Sequence, residues 1–185
     1  LSQAALLRVD QEFATPQTKA RDQRIQDLVA TAVSLAKRST ELAPLNSDNW
    51  VQGATIYRAV MPYLGGSDQC AASFYQEATK LEPHNPFYYW ELGRNYVLAA
   101  DLLTPSIGQD KEKQAKVDDY LAKAVDAFQQ SIAVKPDYAS AVFDLAMTYE
   151  RQNKTQDAIK GVAAAQAISP TDVGVTFQLG LLYYK

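Results

Sequence analysis

The chain has 185 residues, of which 47% are hydrophobic, and this is enough for one domain with a core of its own. Its 18 Lys and Arg nearly balance 21 Asp and Glu, for a net charge of −3, which argues against a nucleic-acid or membrane-surface partner because both normally require a basic patch. The one cysteine, Cys70, excludes an internal disulfide and leaves the compartment open. The sequence has no apolar run of the roughly 18 residues needed to cross a bilayer, so we expect a soluble domain without direct membrane insertion of this segment.

Apolar residues recur at spacings of three and four along nearly the whole chain, without sustained alternation. This periodicity predicts an all-α fold. Pro44, Pro83, Pro136 and Pro170 each follow an Ala-rich helical segment, as expected where a helix ends. Their recurrence indicates an internal repeat.

The first half of the chain is expected to hold two units. Residues 1–45 form a degenerate helical unit, in which Thr15 is the predicted cap and Pro16 lies in the first turn of the longer helix. Residues 46–84 form a first repeat with a short insertion around "MPYLGGSD". Gly66 is expected to help end one helix there, and Ser67 to cap the next.

The second half is expected to hold the second and third repeats and the beginning of a fourth. Residues 85–138 carry a long insertion, "AADLLTPSIGQDKEKQAKVDDY", which predicts two lengthened helices joined at "TPSIG". Its charge run is more typical of a solvated helix face than of a binding site. Residues 139–172 form a regular repeat, and residues 173–185 the first helix of a truncated fourth one. Because the sequence starts without Met and stops inside a repeat, we expect a piece of a longer protein.

The repeats share residue types at matching spacing on a first helix, A, and a second helix, B. The matching positions are Trp50, Gly53, Ala54 and Tyr57, then Ala71, Tyr75, Ala78 and Pro83; Tyr89, Leu92, Gly93 and Tyr96, then Ala124, Phe128, Ser131 and Pro136; Leu145, Ala146 and Tyr149, then Ala158, Val162, Ala165 and Pro170. The pattern resembles the tetratricopeptide repeat (TPR). The resemblance covers the chain from about Asn46 to its end and implies a right-handed α-solenoid of antiparallel helix pairs, the TPR superhelix. With the degenerate first unit, in which the family pattern is weak, we expect a single domain over residues 1–185.

In proteins of this family a second face of helix A lines a concave groove that binds partners, so the resemblance implies a groove for a protein or peptide. The matching positions are Val51, Thr55, Arg58, Phe87, Trp90, Arg94, Phe143, Met147, Glu150, Phe177, Leu181 and Tyr184. Trp90, Phe143 and Phe177 occupy equivalent positions, an aromatic ladder suited to a peptide with apolar anchors. The same rings could instead pack against the next repeat, and the exposure of Phe177, Leu181 and Tyr184 could arise only because the helix that follows them is missing. The sequence leaves these readings open.

The carboxylate clamp of chaperone-binding repeats needs Lys, Asn and Arg in the groove. The corresponding positions here include Val51, Thr55, Glu91, Ser140 and Asp144, so we do not predict that activity.

Catalysis has little support in the sequence. The one histidine, His84, falls in the turn "EPHNP", and no second histidine could complete a nucleophilic pair with Cys70. Asp118, Asp119 and Asp126 are typical of a solvated helix, and no Gly-rich phosphate loop is present. We therefore predict a non-catalytic interaction scaffold without metal or cofactor.

A second resemblance suggests an alternative function. The long insertion, the tract "LAPLNSDNWVQGATIYRAV" and the ending "QLGLLYYK" are similar to repeat domains at the C-terminal end of bacterial polytopic membrane proteins related to O-antigen polymerases and ligases. This resemblance implies a soluble accessory domain of a membrane-bound glycan-assembly enzyme, tethered to a bacterial membrane.

The last helix predicts self-association. Leu179, Leu182 and Tyr183 form the expected apolar stripe of a helix A whose helix B is missing. Terminal repeats normally present a polar outer face, so we expect two copies to associate through this stripe.

Overall fold

The computed structural model describes residues 2–184, which form nine α-helices and no β-strand. The helices are α1 (Ser2–Phe13), α2 (Lys19–Leu42), α3 (Ser47–Ala59), α4 (Ser67–Leu81), α5 (Pro86–Leu103), α6 (Lys111–Val134), α7 (Ala139–Arg151), α8 (Thr155–Ile168) and α9 (Val173–Tyr184). Short turns join most of them, which makes consecutive helices antiparallel neighbours. The all-α prediction is confirmed.

The backbone divides into two compact units, Leu1–Glu82 and Pro83–Lys185. In the first unit α1 packs on α2, α2 on α3 and α3 on α4; in the second each helix from α5 to α9 packs on the next. Alanine and valine dominate the buried positions, including Ala32, Ala54 and Ala71 in the first unit. These small side chains let neighbouring helices approach closely.

A glycine lies at a close contact in three of the helix pairs. A Cβ built on Gly53 would lie 2.5 Å from the ring of Phe74, and one on Gly93 would lie 2.5 Å from the ring of Phe128. In the third pair a Cβ on Gly161 would lie 2.6 Å from the Cβ of Ala146. Helix A therefore contacts helix B at positions where no larger side chain would fit.

An asparagine or aspartate side chain caps the start of helix A in three of the repeats. The side chains of Asn46 and Asn85 accept hydrogen bonds from the backbone N–H groups of Asp48 and Phe87. Asp172 Oδ1 accepts from the backbone N–H groups of Gly174 and Val175, at 2.9 and 3.1 Å. These caps satisfy backbone donors that the helix leaves unpaired.

Two predicted caps are wrong. The helix α2 begins at Lys19, and its cap is Thr18, whose hydroxyl oxygen accepts from the backbone N–H of Arg21 at 3.1 Å. Thr15 lies before this turn and donates its hydroxyl to the carbonyl of Glu12 in α1. Gly66, with φ +80°, precedes α4, while Ser67 is the first residue of that helix and donates its hydroxyl to the carbonyl of Leu64. Glycine is favoured before α4 because its positive φ strains other residues.

The long insertion forms two lengthened helices, as the spacing predicts. The helices α5 and α6 have 18 and 24 residues, and a single 3₁₀ turn, Thr104–Ser106, follows α5. The guanidinium of Arg151, at the end of α7, forms two hydrogen bonds of 2.9 and 3.0 Å to the carboxylate of Asp101. This bidentate pair ties the extended end of α5 to the next repeat.

Candidate peptide-binding surface

The predicted groove residues of the first unit lie on α3. Thr55 is exposed, while Val51 and Arg58 are half-buried. The hydroxyl of Thr55 donates to the backbone carbonyl of Val51 at 2.9 Å. The guanidinium carbon of Arg58 lies 5.7 Å from the centre of the Tyr75 ring, within range of a cation–π contact. Because these positions are spaced by four and three residues, the three side chains share one side of this helix.

In the second unit α5, α7 and the start of α9 line a cleft of about 460 Å³. Its lining residues are Trp90, Arg94, Ala139, Ser140, Phe143, Asp144, Ser169, Asp172, Gly174 and Val175. Three of the predicted groove residues, Trp90, Arg94 and Phe143, are among them. The predicted residues Met147, Glu150, Phe177, Leu181 and Tyr184 lie farther along α7 and α9 and do not line this cleft.

A polar network holds Trp90 in this cleft. Its indole Nε1 donates a 2.7 Å hydrogen bond to Oδ2 of Asp144, which belongs to the next repeat. The guanidinium carbon of Arg94 lies 4.7 Å from the centre of the Trp90 ring, and Nη1 of Arg94 donates to Oε1 of Glu91 at 2.8 Å. The orientation of Trp90 is therefore fixed by contacts on its edge and on its face.

Other rings also surround Trp90. Phe87 lies 5.7 Å away and Tyr138 lies 5.8 Å away, measured between ring centres. At these distances aromatic pairs attract each other beyond the burial of their area. Trp90 is half-buried as a result, so part of the ring packs sideways within the fold and part faces the cleft.

Burial controls the electrostatics of the cleft. It raises the pKa of the Asp144 carboxyl, while the Trp90 hydrogen bond and the positive charges of Arg94 and Arg151 act in the opposite direction. The pKa of the Tyr138 hydroxyl is also raised, first by burial and then by the negative charge of Glu91. The cleft therefore combines aromatic surface with a carboxylate that is costly to ionise.

In the sequence, Glu91 and Asp144 are informative only because acidic residues at their positions exclude a carboxylate clamp. They occupy equivalent positions in consecutive repeats, each directly after a groove aromatic, Trp90 or Phe143. The recurrence of an acidic residue at this position is the sequence feature that could have indicated a polar network. The hydrogen bond itself joins residues 54 positions apart, which helical periodicity does not predict.

The helix α9 carries the most exposed predicted residues. Phe177, Leu181 and Tyr184 are 66%, 41% and 92% exposed and follow one another along the helix at spacings of four and three residues. Since Gly174 lines the cleft, Phe177 lies one helical turn beyond it. An apolar strip therefore continues from the cleft along α9.

The predicted self-association stripe on α9 is partly wrong. Leu182 is only 2% exposed, because it packs into the core of the second unit, and Leu179 is partly buried against the same core. Tyr183 is exposed, and so is Val173 near the start of the helix. A Cβ built on Gly180 would meet no described atom within 4 Å, unlike the glycines inside the complete helix pairs. The uncovered side of α9 therefore holds Gly180 and Tyr183 together with Phe177 and Tyr184 of the apolar strip.

Comparison with solved structures shows which known proteins have a similar architecture. A thermophilic TPR protein of Thermus thermophilus, TTC0263, matches with a TM-score of 0.65 at 16% identity, covering 100% of both chains. The chain has the tetratricopeptide-repeat fold. Two structures of MamA also match the TPR fold of this chain, with TM-scores of 0.62 and 0.60, at 17% and 18% identity. They cover 99% and 92% of this chain and 81% and 85% of their own chains.

No model of a known protein family matches the sequence, and no curated protein sequence does either. The TPR resemblance is confirmed at the level of the fold by these structures. They do not bear on the weaker resemblance to membrane-bound glycan-assembly proteins, which stays a prediction. Among the helices of residues 2–184, none combines the length and apolarity needed to cross a bilayer.

The residues considered for catalysis lie apart from the cleft. His84 is exposed in the turn between α4 and α5, and Cys70 is half-buried on α4. Asp119 forms a 2.6 Å hydrogen bond with Lys123 on α6, and Asp118 accepts from Gln114 on the same helix. In the part of the chain that the structure describes, these side chains form no group with each other that resembles a metal site.

Proposed function

We propose that this chain is a non-catalytic protein–protein interaction scaffold and that the helix A faces of the TPR fold bind a peptide segment. The observation that carries the proposal is the apolar strip of Phe177 and Leu181, which continues from the cleft containing Trp90 and Phe143. Large apolar side chains that remain exposed next to a preformed cleft are typical of recognition surfaces. The proposed contact residues are the twelve groove positions named from the sequence, three in the first unit and nine in the second, and each unit presents its own set.

The proposed roles differ along the surface. Phe143 lines the cleft and also packs against the core of the second unit, so it forms a firm floor for a ligand side chain. Phe177 and Leu181 are exposed, so a bound peptide can cover them, and they form the main apolar contacts with that peptide. Arg94 borders the cleft with an exposed side chain and orients polar groups of the ligand.

A selection experiment tests this function. A displayed library of random peptides is selected on the purified chain, and the selected peptides are titrated by calorimetry against native protein and variants. We expect Phe177→Ala to weaken binding at least about tenfold, as for an anchor worth about 1.4 kcal/mol or more. Leu102→Ala is the matched control, because Leu102 is also exposed in the second unit and lies outside the cleft.

The two variants separate the outcomes. Loss of binding in Phe177→Ala with native affinity in Leu102→Ala supports the proposed surface. Equal affinity in both variants places the selected peptides elsewhere and overturns the assignment. Circular dichroism of each variant checks that the helices remain folded.

A further inference from the structure

The cleft beside the apolar strip is lined by more negative than positive side chains. Asp144 and Asp172 contribute two carboxylates, whereas Arg94 contributes the one guanidinium among the described lining residues. The positive charge of Arg94 is already matched, because its Nη1 donates a 2.8 Å hydrogen bond to the carboxylate of Glu91, a buried residue. The cleft therefore carries negative charge that its own guanidinium does not neutralise.

Asp144 has no counter-cation of its own. Its Oδ2 accepts from the indole of Trp90, but the two arginines that attract it, Arg94 and Arg151, each form an ion pair with a different carboxylate. Burial accordingly raises the pKa of the Asp144 carboxyl in spite of these arginines. A positive group brought into the cleft would favour the ionised form and so offset part of the cost of burial.

Asp172 determines what the start of α9 offers to a ligand. A helix start normally provides backbone N–H groups to an anion. Here Oδ1 of Asp172 accepts from the N–H groups of Gly174 and Val175, so these donors are already in use. Oδ2 of the same exposed carboxylate accepts no hydrogen bond from a described residue. The start of α9 therefore presents an acceptor to the cleft in place of donors.

The remaining lining groups are also suited to positive charge. The rings of Trp90 and Phe143 line the cleft, and aromatic rings attract cations. The hydroxyl oxygens of Ser140 and Ser169, which line it too, can accept hydrogen bonds from an ammonium or guanidinium group. Aromatic surface, hydroxyl groups and carboxylates thus meet in one cleft.

Other ligand groups fit this lining less well. An acidic side chain or a terminal carboxylate would be repelled by Asp144 and Asp172, and it would find the backbone donors of α9 occupied. An apolar side chain would take water from the same carboxylates and supply no hydrogen bond in exchange. A cationic side chain has neither disadvantage.

We propose that the cleft receives a lysine or arginine side chain of the bound peptide, while neighbouring apolar side chains of that peptide cover Phe177 and Leu181. This assignment rests on the proposed function and adds the class of peptide to it. The peptide is one that combines a positive charge with apolar residues.

Two small probes test the charge preference of the cleft: Nα-acetyl-lysine methylamide and its uncharged analogue Nα-acetyl-norleucine methylamide. Since the chain has two tryptophans, Trp50→Phe leaves one indole N–H signal in a proton–nitrogen correlation NMR spectrum, that of Trp90 in the cleft. We expect the lysine probe to shift this signal with a dissociation constant at least about fivefold lower than that of the norleucine probe. Added salt should weaken the lysine probe alone.

Asp172→Asn and Asp144→Asn test the location, each introduced into the Trp50→Phe chain. Asparagine caps a helix as well as aspartate does and still accepts from an indole N–H, so both variants remove charge while the local hydrogen bonds stay. We expect each variant to weaken the lysine probe about two- to fivefold and to leave the norleucine probe unchanged. Asp126→Asn, on the exposed face of α6, is the matched control.

Equal affinities of the lysine and norleucine probes, or equal effects of Asp172→Asn and Asp126→Asn on the lysine probe, would overturn the proposal. Tighter binding of Nα-acetyl-glutamate methylamide than of the lysine probe would overturn it as well. If the selected peptides require Phe177 but keep their affinity when every lysine and arginine is replaced by norleucine, the proposed function stands and the cationic side chain is wrong. If instead Phe177→Ala affects none of those peptides while the lysine probe behaves as expected, the apolar strip is wrong and the preference of the cleft for a cation stands.

Discussion

The indole Nε1 of Trp90 donates a 2.7 Å hydrogen bond to Oδ2 of Asp144, which joins helix A of one repeat to helix A of the next. The bond spans 54 positions in the sequence. Because Arg94 covers the face of the same ring, an aromatic side chain of the proposed peptide surface is held in one orientation before any ligand arrives. A surface fixed in this way loses less conformational freedom on binding.

Removal of the indole N–H should destabilise the second unit. In Trp90→Phe the half-buried carboxylate of Asp144 loses its donor, and leaving such a group unsatisfied costs about 1–3 kcal/mol. Trp50→Phe is the matched control, because the Trp50 indole donates to the carbonyl of Pro44 at an exposed site where water can replace it. Urea denaturation followed by circular dichroism measures both variants. Equal midpoints for the two would contradict a special role of the Trp90 bond.

The carboxyl of Asp144 should make stability depend on pH. Its pKa is raised in the folded chain because burial disfavours the ionised form. The group therefore lowers stability above its folded pKa, and this penalty disappears below the unfolded value of about 3.9. Asp144→Asn removes the charge and keeps an oxygen that accepts from Trp90.

We accordingly expect Asp144→Asn to unfold at a higher urea concentration than native protein at pH 7 and at a similar concentration at pH values below about 3.9. Asp126→Asn, on the exposed face of α6, is the control and should show no such gain. A loss of stability at pH 7 in Asp144→Asn would show that the attraction of Arg94 and Arg151 outweighs the cost of burial.

Gly93 and Gly180 should respond in opposite ways to a side chain. A Cβ on Gly93 would lie 2.5 Å from the ring of Phe128, so Gly93→Leu should cost about 1–3 kcal/mol through overpacking, and Gly93→Ala should also destabilise. A Cβ on Gly180 meets no described atom within 4 Å, so Gly180→Ala should stabilise α9 by up to about 1 kcal/mol. Denaturant midpoints provide the measurement. An unchanged midpoint in Gly93→Leu would mean that the packing face is misplaced.

Self-association, which stays a prediction, should depend on the uncovered side of α9. Val173 and Tyr183 are exposed there, and burying apolar area is worth roughly 25 cal/mol per Å². We expect Tyr183→Glu to shift any dimer toward monomer in sedimentation velocity at increasing protein concentration. Leu102→Glu, an exposed apolar position on α5, should not. If both variants dimerise like native protein, the contact lies on another surface.

The sequence predicted the fold through features that are local. Small residues such as Gly93, and prolines such as Pro136, recur with the repeat, so helix pairs and their ends follow from spacing alone. The choice of Thr18 over Thr15 as a cap depends on where α1 ends, a detail of one turn that the pattern does not resolve. The burial of Leu182 depends on which side of α9 faces α8.

The polar part of the candidate surface required three-dimensional information. Asp144 meets Trp90 only because consecutive helices A pack side by side, and neither residue identifies the other in the sequence. The short insertion between α3 and α4 also departs from the repeat, so the pattern does not predict where the side chains of Tyr63 and Leu64 lie. Spacing predicts the helices, including the two that the long insertion lengthens, whereas contacts between helices of different repeats become known only from the structure.

The two tryptophans of the chain are divided between its two units, Trp50 in the first and Trp90 in the second. Each indole is thus an intrinsic fluorophore for one unit, and the variants Trp50→Phe and Trp90→Phe leave a single emitter apiece. Fluorescence from Trp90, whose N–H lies against a titrating carboxylate, should also respond to the ionisation of Asp144. The chain therefore carries its own optical readout for deciding whether the two units unfold together or one after the other.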